Sequence, residues 1–347
     1  MKLKRFLGIA LASMLVIATA GCSSGGSAST GGSSSGGAAS GGDKKSNVKI
    51  KIANIYGADT YESQSLVKFK ELVESKADNI TVEVYTNGQL GNEETLTDSV
   101  RQGSVEMVVV GPMAAQYVPL IACSEYPFLV ENWEEANAVL KSEVFEDMTT
   151  KGIEEQGMTF LGYNPVGFRA ISSSYSITSM EELKGMRIRT PNIPYYIKMA
   201  ECWGTNVIAM SLSELFTGLE QKVVDGQENP MNVVIANKFY EVQPFILVSR
   251  HMLCTHGWYA NTKFIEGLSA EDRAIVEECA KEAIDYCWQI TEDGEAGEAD
   301  YLREQGVTVT EISPEMYKEL KDSQGPMTEW FLKTYPGADE VDRKSVV

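Results

Sequence analysis

Two arginines and a run of amides and carboxylates carry the most legible chemistry in this chain. Between Met186 and Pro230 the sequence runs from Met-Arg-Ile-Arg-Thr-Pro to Val-Val-Asp-Gly-Gln-Glu-Asn-Pro. Arg187-Ile188-Arg189 reads as a short strand stopped by Pro191, which has no N–H to give to a ladder. Strand side chains repeat every two residues, so Arg187 and Arg189 share a face. Arg189 is nearer the carboxyl end, where open α/β sheets take their ligands. A guanidinium there offers a planar fork to a carboxylate; a structural salt bridge is its competing fate. Downstream, Val223-Val224-Asp225-Gly226 reads as a strand entering a turn, because Asp-Gly favours positive φ. That turn would present Gln227, Glu228 and Asn229. Asn229 has a donor and an acceptor, enough to hold a carboxylate or hydroxyl beside Arg189, unless Asn-Pro only shapes the turn.

Such a site needs positioning elements, and strand and helix patterns alternate along the chain. Lys49–Ala53 and Thr81–Tyr85 alternate as strands, and Met107–Val110 is an apolar run suited to a buried strand. Helical spacing covers Thr60–Lys76 and Glu93–Gln102, the latter stopped by Gly103. The pattern resumes with a strand at Phe168–Ser172, a helix near Ser179, the Arg187 strand, and helices at Tyr195–Trp203 and Ser213–Glu220. Ser269 to about Arg303 keeps one apolar face over a long helix, which Gly294 and Gly297 weaken and bend. Val307–Thr310 is a last strand, and Pro314 opens a final helix. Alternation of this kind predicts a largely parallel, doubly wound α/β sheet.

The first residues read as an address. Lys2, Lys4 and Arg5 precede the short apolar run Phe6–Thr19, so residues 1–21 are expected to be a signal peptide. Thr19-Ala20-Gly21-Cys22 looks like a lipobox, with Cys22 the lipidated residue. Residues 22–46 then form a Gly/Ser-rich tether that cannot bury a core. About 300 residues remain, enough for two lobes.

Composition narrows the function. With 30 Lys+Arg against 49 Asp+Glu, the formal charge of −19 gives no reason to bind nucleic acid. An acidic protein that binds an anion must concentrate its few arginines at the site, which draws attention to Arg169 as well as Arg189. The five cysteines after Cys22 are odd in number and include no Cys-x-x-Cys pair, so neither a disulfide framework nor a metal site is expected. One bridge stays open. No phosphate-binding loop, Gly-x-Ser-x-Gly elbow or His-Glu-x-x-His occurs, and there are only two histidines, so no cofactor and no catalytic residue is assigned.

Three motifs in order carry a resemblance: Lys184-Gly185-x-x-x-Arg189-x-Pro191, Met210-x-x-x-Glu214, and Asp225-Gly226-x-Glu228-Asn229-Pro230. Gln89-Leu90-Gly91, Tyr126-Pro127-Phe128 and Gly167-Phe168-Arg169 extend it. The chain after the tether resembles the solute-binding proteins of TRAP transporters, the DctP-like family. The resemblance implies a two-lobed periplasmic-binding-protein-like fold, with a hinge and a long helix spanning both lobes. Lobe I would comprise residues 47–166 plus about 255–290, and lobe II residues 167–254 plus about 291–347 with the C-terminal helices.

The resemblance also implies roles. Arg189 would pair with the solute carboxylate, and Arg169 would reach the solute or brace the inter-lobe strand. Asn229 would make contact. Glu93 would accept from sugar hydroxyls, or be a solvated helix start favoured by the dipole. Leu212 and Gly111 stand where some sialic-acid binders carry phenylalanine and glutamate. Tyr56, ending the first strand, and Trp258, on a connection between lobes, are aromatic candidates for the cleft; Trp258 either stacks on a solute ring or fills the hinge. The expected protein is an exported, lipid-anchored receptor that passes a sugar acid such as a uronate to the membrane subunits of a transporter. C4-dicarboxylates, keto acids, a sensor-linked binder and a secreted hydrolase using paired acids are the alternatives.

Overall fold

The computed structural model describes residues 46–340, and the expected signal peptide, Cys22 and all but the last residue of the tether lie outside them. In chain order the elements are β1 (Val48–Ala53), α1 (Tyr61–Lys76), β2 (Ile80–Tyr85), α2 (Glu93–Gln102), β3 (Met107–Val110), α3 (Trp133–Leu140), α4 (Glu143–Thr150) and β4 (Met158–Ser173). Then come α5 (Met180–Leu183), β5 (Arg187–Thr190), α6 (Pro194–Cys202), β6 (Asn206–Ala209), α7 (Leu212–Glu220), β7 (Gly226–Pro230), α8 (Met231–Ala236), β8 (Phe245–Val248) and β9 (Leu253–Asn261). The chain closes with α9 (Thr262–Gly267), α10 (Ala270–Glu304), β10 (Thr308–Glu311), α11 (Pro314–Asp322) and α12 (Gly325–Thr334).

Local chemistry accounts for many of these boundaries. Thr60 and Asn92 accept from the backbone N–H groups of Ser63 and Thr95, capping α1 and α2. Gly103 closes α2 in the left-handed region, at φ 77°. Ser179 and Ser211 form capping boxes with Glu182 and Glu214.

The strands run β2-β1-β3-β9-β4-β7-β5-β6, with β8 also on β4 and β10 on β8. The fold is two-lobed α/β, but its sheet is mixed, not largely parallel. β1 pairs in parallel with β2 and β3, and β5 with β6 and β7. β9 and β4 are antiparallel to their neighbours and link the two parallel groups. β4 changes partners along its length: Met158–Phe168 lies on β9, whereas Arg169–Ser173 lies on β7 and β8. Its ladder to β9 breaks register between Phe160 and Gly162 and again between Pro165 and Gly167. Proline is tolerated in a strand at such irregularities. The expected strand Phe168–Ser172 is therefore only the end of a 16-residue one.

A second correction concerns Asp225-Gly226. Gly226 begins a strand, not a turn; a Cβ there would stand 2.4 Å from the Ser172 carbonyl and 2.3 Å from Met186 Cε, so close approach, not positive φ, selects glycine. Gln227, Glu228 and Asn229 thus sit in a buried strand between β4 and β5. The long helix α10 continues through Gly294 and Gly297, packing on α1 and β4 and then on α8 and β10. At Gly294 a Cβ would lie 2.0 Å from the Tyr61 hydroxyl, so glycine lets α1 approach. Two helices, not one, follow Pro314. The five described cysteines are unbridged. No helix among the described residues is long and apolar enough to cross a membrane.

Candidate functional site

A cleft of about 650 Å³ opens between the end of β1, the start of α2 and the carboxyl ends of β5 and β6. Tyr56, Glu93, Arg169, Arg189, Leu212 and Asn229 all line it. Six of the eight expected solute-facing residues, scattered over more than 170 positions of sequence, thus share one cavity.

Arg189 is 3 % exposed, and its Nε and Nη2 both donate to the Met210 carbonyl, at 2.9 and 2.8 Å. Those bonds turn the guanidinium without neutralising it, and among the described residues no carboxylate forms an ion pair with it. Burial lowers its pKa to about 10, with Glu228 opposing and Arg169 adding to the effect. A buried cation without a counter-ion is costly, and an anion entering the cleft would relieve that cost.

Arg169, two strands away across β7, is held differently. Its Nε and Nη2 donate to the Glu228 carboxylate, and Nη2 also donates to the Glu228 carbonyl at 2.6 Å and Asn229 Oδ1 at 3.1 Å. The guanidinium lies 4.9 Å from the centre of the Tyr196 ring. Burial works against both charges of the pair. The attraction outweighs it, holding Arg169 well above and Glu228 below their ordinary values. Arg169 therefore faces the cleft and also forms the brace that the sequence left as an alternative. Asn229 is engaged too: its Nδ2 donates to Gln227 Oε1 at 2.5 Å.

On another wall, Glu93 Oε1 accepts from the Met113 N–H at 3.1 Å, and burial raises its pKa. Glu93 is partly buried at the start of α2 and lines the cleft. Tyr56 stacks on His256 with ring centres 5.2 Å apart. Gly111 lies behind the wall, where a Cβ would meet the His256 ring at 2.6 Å. Trp258 is not in the cleft. It is fully buried on the central strand β9 and packs edge-on against Phe69, 5.6 Å between centres. Of its two open fates, filling the interior is the one observed, because β9 is covered on both faces.

Sequence reasoning passed over Glu228, Tyr196 and His256 as parts of the site. Glu228 was visible as a buried-strand carboxylate near an arginine only once β7 was recognised as a strand. His256 lies in a uniformly buried strand and left no periodic signal. Glu125 ties the walls together, accepting from Tyr195, Tyr196 and the Thr255 N–H at 3.1, 2.9 and 2.8 Å.

Two lobes joined by crossing strands around an arginine-lined cleft define a solute-binding protein. Residues 52–334 match the family described as bacterial extracellular solute-binding protein, family 7, and the chain belongs to that family, the DctP-type extracytoplasmic receptors of TRAP transporters. It is 29 % identical over 291 residues to the 2,3-diketo-L-gulonate-binding periplasmic protein of Escherichia coli, covering 82 % of this chain and 88 % of that one. A TRAP periplasmic solute-binding protein from Haemophilus influenzae with bound L-gulonate superposes with a TM-score of 0.82 at 29 % identity, covering 86 % of this chain and 98 % of its own. The sugar-acid-binding protein of Advenella mimigardefordensis in complex with galactonate gives 0.83 at 27 % identity, covering 87 % and 100 %.

Proposed function

We propose that this protein captures a sugar acid, a hexonate or uronate, and delivers it to the membrane subunits of a TRAP transporter. The observation that carries the proposal is Arg189: a buried cation in the cleft, oriented by a carbonyl and lacking a carboxylate partner. A carboxylate solute supplies that partner bidentately. The polar groups of Glu93 and Tyr56 on the same cavity favour a hydroxylated acid over an apolar one. The solutes bound by the H. influenzae and A. mimigardefordensis proteins, L-gulonate and galactonate, support the same class. The two lobes, with boundaries near residues 166 and 254, close on a solute that contacts both walls. The protein binds and releases without turning over its solute.

Titration calorimetry with galactonate, L-gulonate and galacturonate tests the reading: at least one should bind, with no product formed on prolonged incubation. Binding only of succinate or pyruvate would replace it with the dicarboxylate or keto-acid alternative. We further propose that Cys22 anchors the exported chain to the membrane through a lipid. The run Thr19-Ala20-Gly21-Cys22 supports this. Labelled fatty acid should attach to the wild type and not to Cys22→Ala, and absence of label on the wild type would reject it.

A further inference from the structure

His256 is a cleft residue that nothing in the arginine wall explains. It is 2 % exposed and lines the cavity from β9. Its Nδ1 lies 3.2 Å from both carboxylate oxygens of Glu62, on α1. Its ring face is covered by Tyr56, at an interplanar angle of 17°. These contacts fix the ring in place and direct the Nδ1 edge away from any solute. The opposite edge and Glu93 both approach Gly111: a Cβ on that glycine would stand 2.6 Å from Nε2 and 3.2 Å from Glu93 Oε1. Only a residue without a side chain lets imidazole and carboxyl share this corner. Burial disfavours a charged ring, but Glu62 and the Cys254 beside it outweigh burial and hold the imidazole pKa well above its ordinary value. A ring charged in this way carries a proton on Nε2 as well as on Nδ1.

We propose that His256 and Glu93 together recognise solute hydroxyls, with Nε2–H donating to a hydroxyl oxygen and the Glu93 carboxyl accepting from a hydroxyl hydrogen. A hydroxyl is the group that can do both. This rests on the sugar-acid reading above and assigns its specificity: Arg189 selects the acid, and the His256–Glu93 corner selects the polyol chain. Glu62 is a positioning residue, since it acts through the ring.

The test is calorimetry with galactonate, L-gulonate and galacturonate on the wild type, His256→Phe, His256→Gln and Arg189→Ala, with melting temperatures recorded. Phenylalanine keeps the stack and loses the donor, so affinity should fall about 10- to 100-fold, as for a lost bond to a charged group. Glutamine retains an N–H and should recover about tenfold of that loss. In the wild type, saturating galactonate should also move the His256 Nε2 nitrogen resonance, readily assigned in a chain with two histidines. If Arg189→Ala weakens binding while His256→Phe binds as tightly as the wild type, this inference is overturned and the proposed function stands. An unmoved Nε2 resonance at saturation also overturns it, whether or not the variants fold. If the wild type binds none of the three acids, both readings fall.

Discussion

Arg169 and Arg189 flank the same buried strand and line the same cleft, yet the protein treats their charges in opposite ways. Arg169 is neutralised from within by Glu228, whose carboxylate also lies 3.4 Å from His251 Nε2. Arg189 receives only a carbonyl. The β7 strand explains the asymmetry, because Glu228 pairs across to β4 and its carboxylate is spent on Arg169. One arginine belongs to the scaffold, and the other is the one we propose for the solute anion. A buried charge that the fold does not compensate marks where a ligand does so.

The largest effect should come from breaking the internal pair. Arg169→Ala leaves the Glu228 carboxylate buried beside His251 alone, and losing one partner of a buried pair costs about 3–5 kcal/mol. Urea unfolding should show that loss without any solute present. Removing both charges, in Arg169→Met with Glu228→Leu, should restore much of the stability. An Arg169→Ala protein as stable as the wild type but unable to bind would move Arg169 into the solute-recognition class and erase the contrast.

Arg189→Ala should give the converse result. Solute affinity should fall by about 2–5 kcal/mol, which is roughly 30- to 3,000-fold. The unfolding midpoint should hold or rise, because an unpaired buried charge has been removed. Arg189→Lys should recover only part of the affinity, since an ammonium keeps the charge and loses the fork. Calorimetry on the two variants beside the wild type decides it.

The elements that carry this contrast were unequally legible. The span of α2 and of β3 could be read to the residue, because Gly103 stops one and an unbroken apolar run defines the other. Arg189 was legible for the same local reason: a short strand ended by proline. Glu228 was misplaced in a turn because Asp-Gly is a turn signal and nothing in the sequence shows that Ser172 lies against Gly226. The expected strand began only at Phe168, whereas β4 runs on through Pro165; a proline in a central strand is excusable only by a register break, which is a tertiary feature. Trp258 and His256 share β9, where every residue is buried. Two residues apart, they share a face of the strand, and its period cannot say that His256 reaches the cleft while Trp258 packs under α1.

Glu298 extends the comparison to an acid. It lies on α10, 7 % exposed, with Tyr61 and the Asn232 backbone as hydrogen-bond partners and Glu295 as a like-charged neighbour. Burial first, then Glu295, raises its pKa from 4.5 to about 7. Between those values the folded protein keeps a proton that the unfolded chain releases. The stabilisation is therefore complete below pH 4.5 and is lost as pH rises through about 7. Glu298→Gln should remove this dependence and be more stable than the wild type at pH 8 by roughly 3 kcal/mol. Melting curves from pH 5 to pH 8 check it, and parallel curves for the two proteins would show that Glu298 is ionised throughout.

Arg187 gives the smallest effect and the sharpest control. It stands two residues before Arg189 on β5, but its side chain is 43 % exposed and its guanidinium engages Asp225, with Nε to Oδ2 at 3.0 Å and Nη2 to Oδ1 at 2.5 Å. The Asp225 carboxylate also accepts from the Arg187 backbone N–H at 3.0 Å, a bond that survives truncation of the side chain. Arg187→Ala should accordingly change solute affinity by less than about twofold and shift the unfolding midpoint far less than Arg169→Ala does. An exposed ion pair is screened by water and salt, so even that small shift should shrink as ionic strength rises. Calorimetry and melting at low and high salt measure both. If Arg187→Ala abolished binding and Arg189→Ala did not, the arginine with a carboxylate partner would be the one that holds the solute, and an unpaired buried charge would no longer be a guide to where the ligand sits.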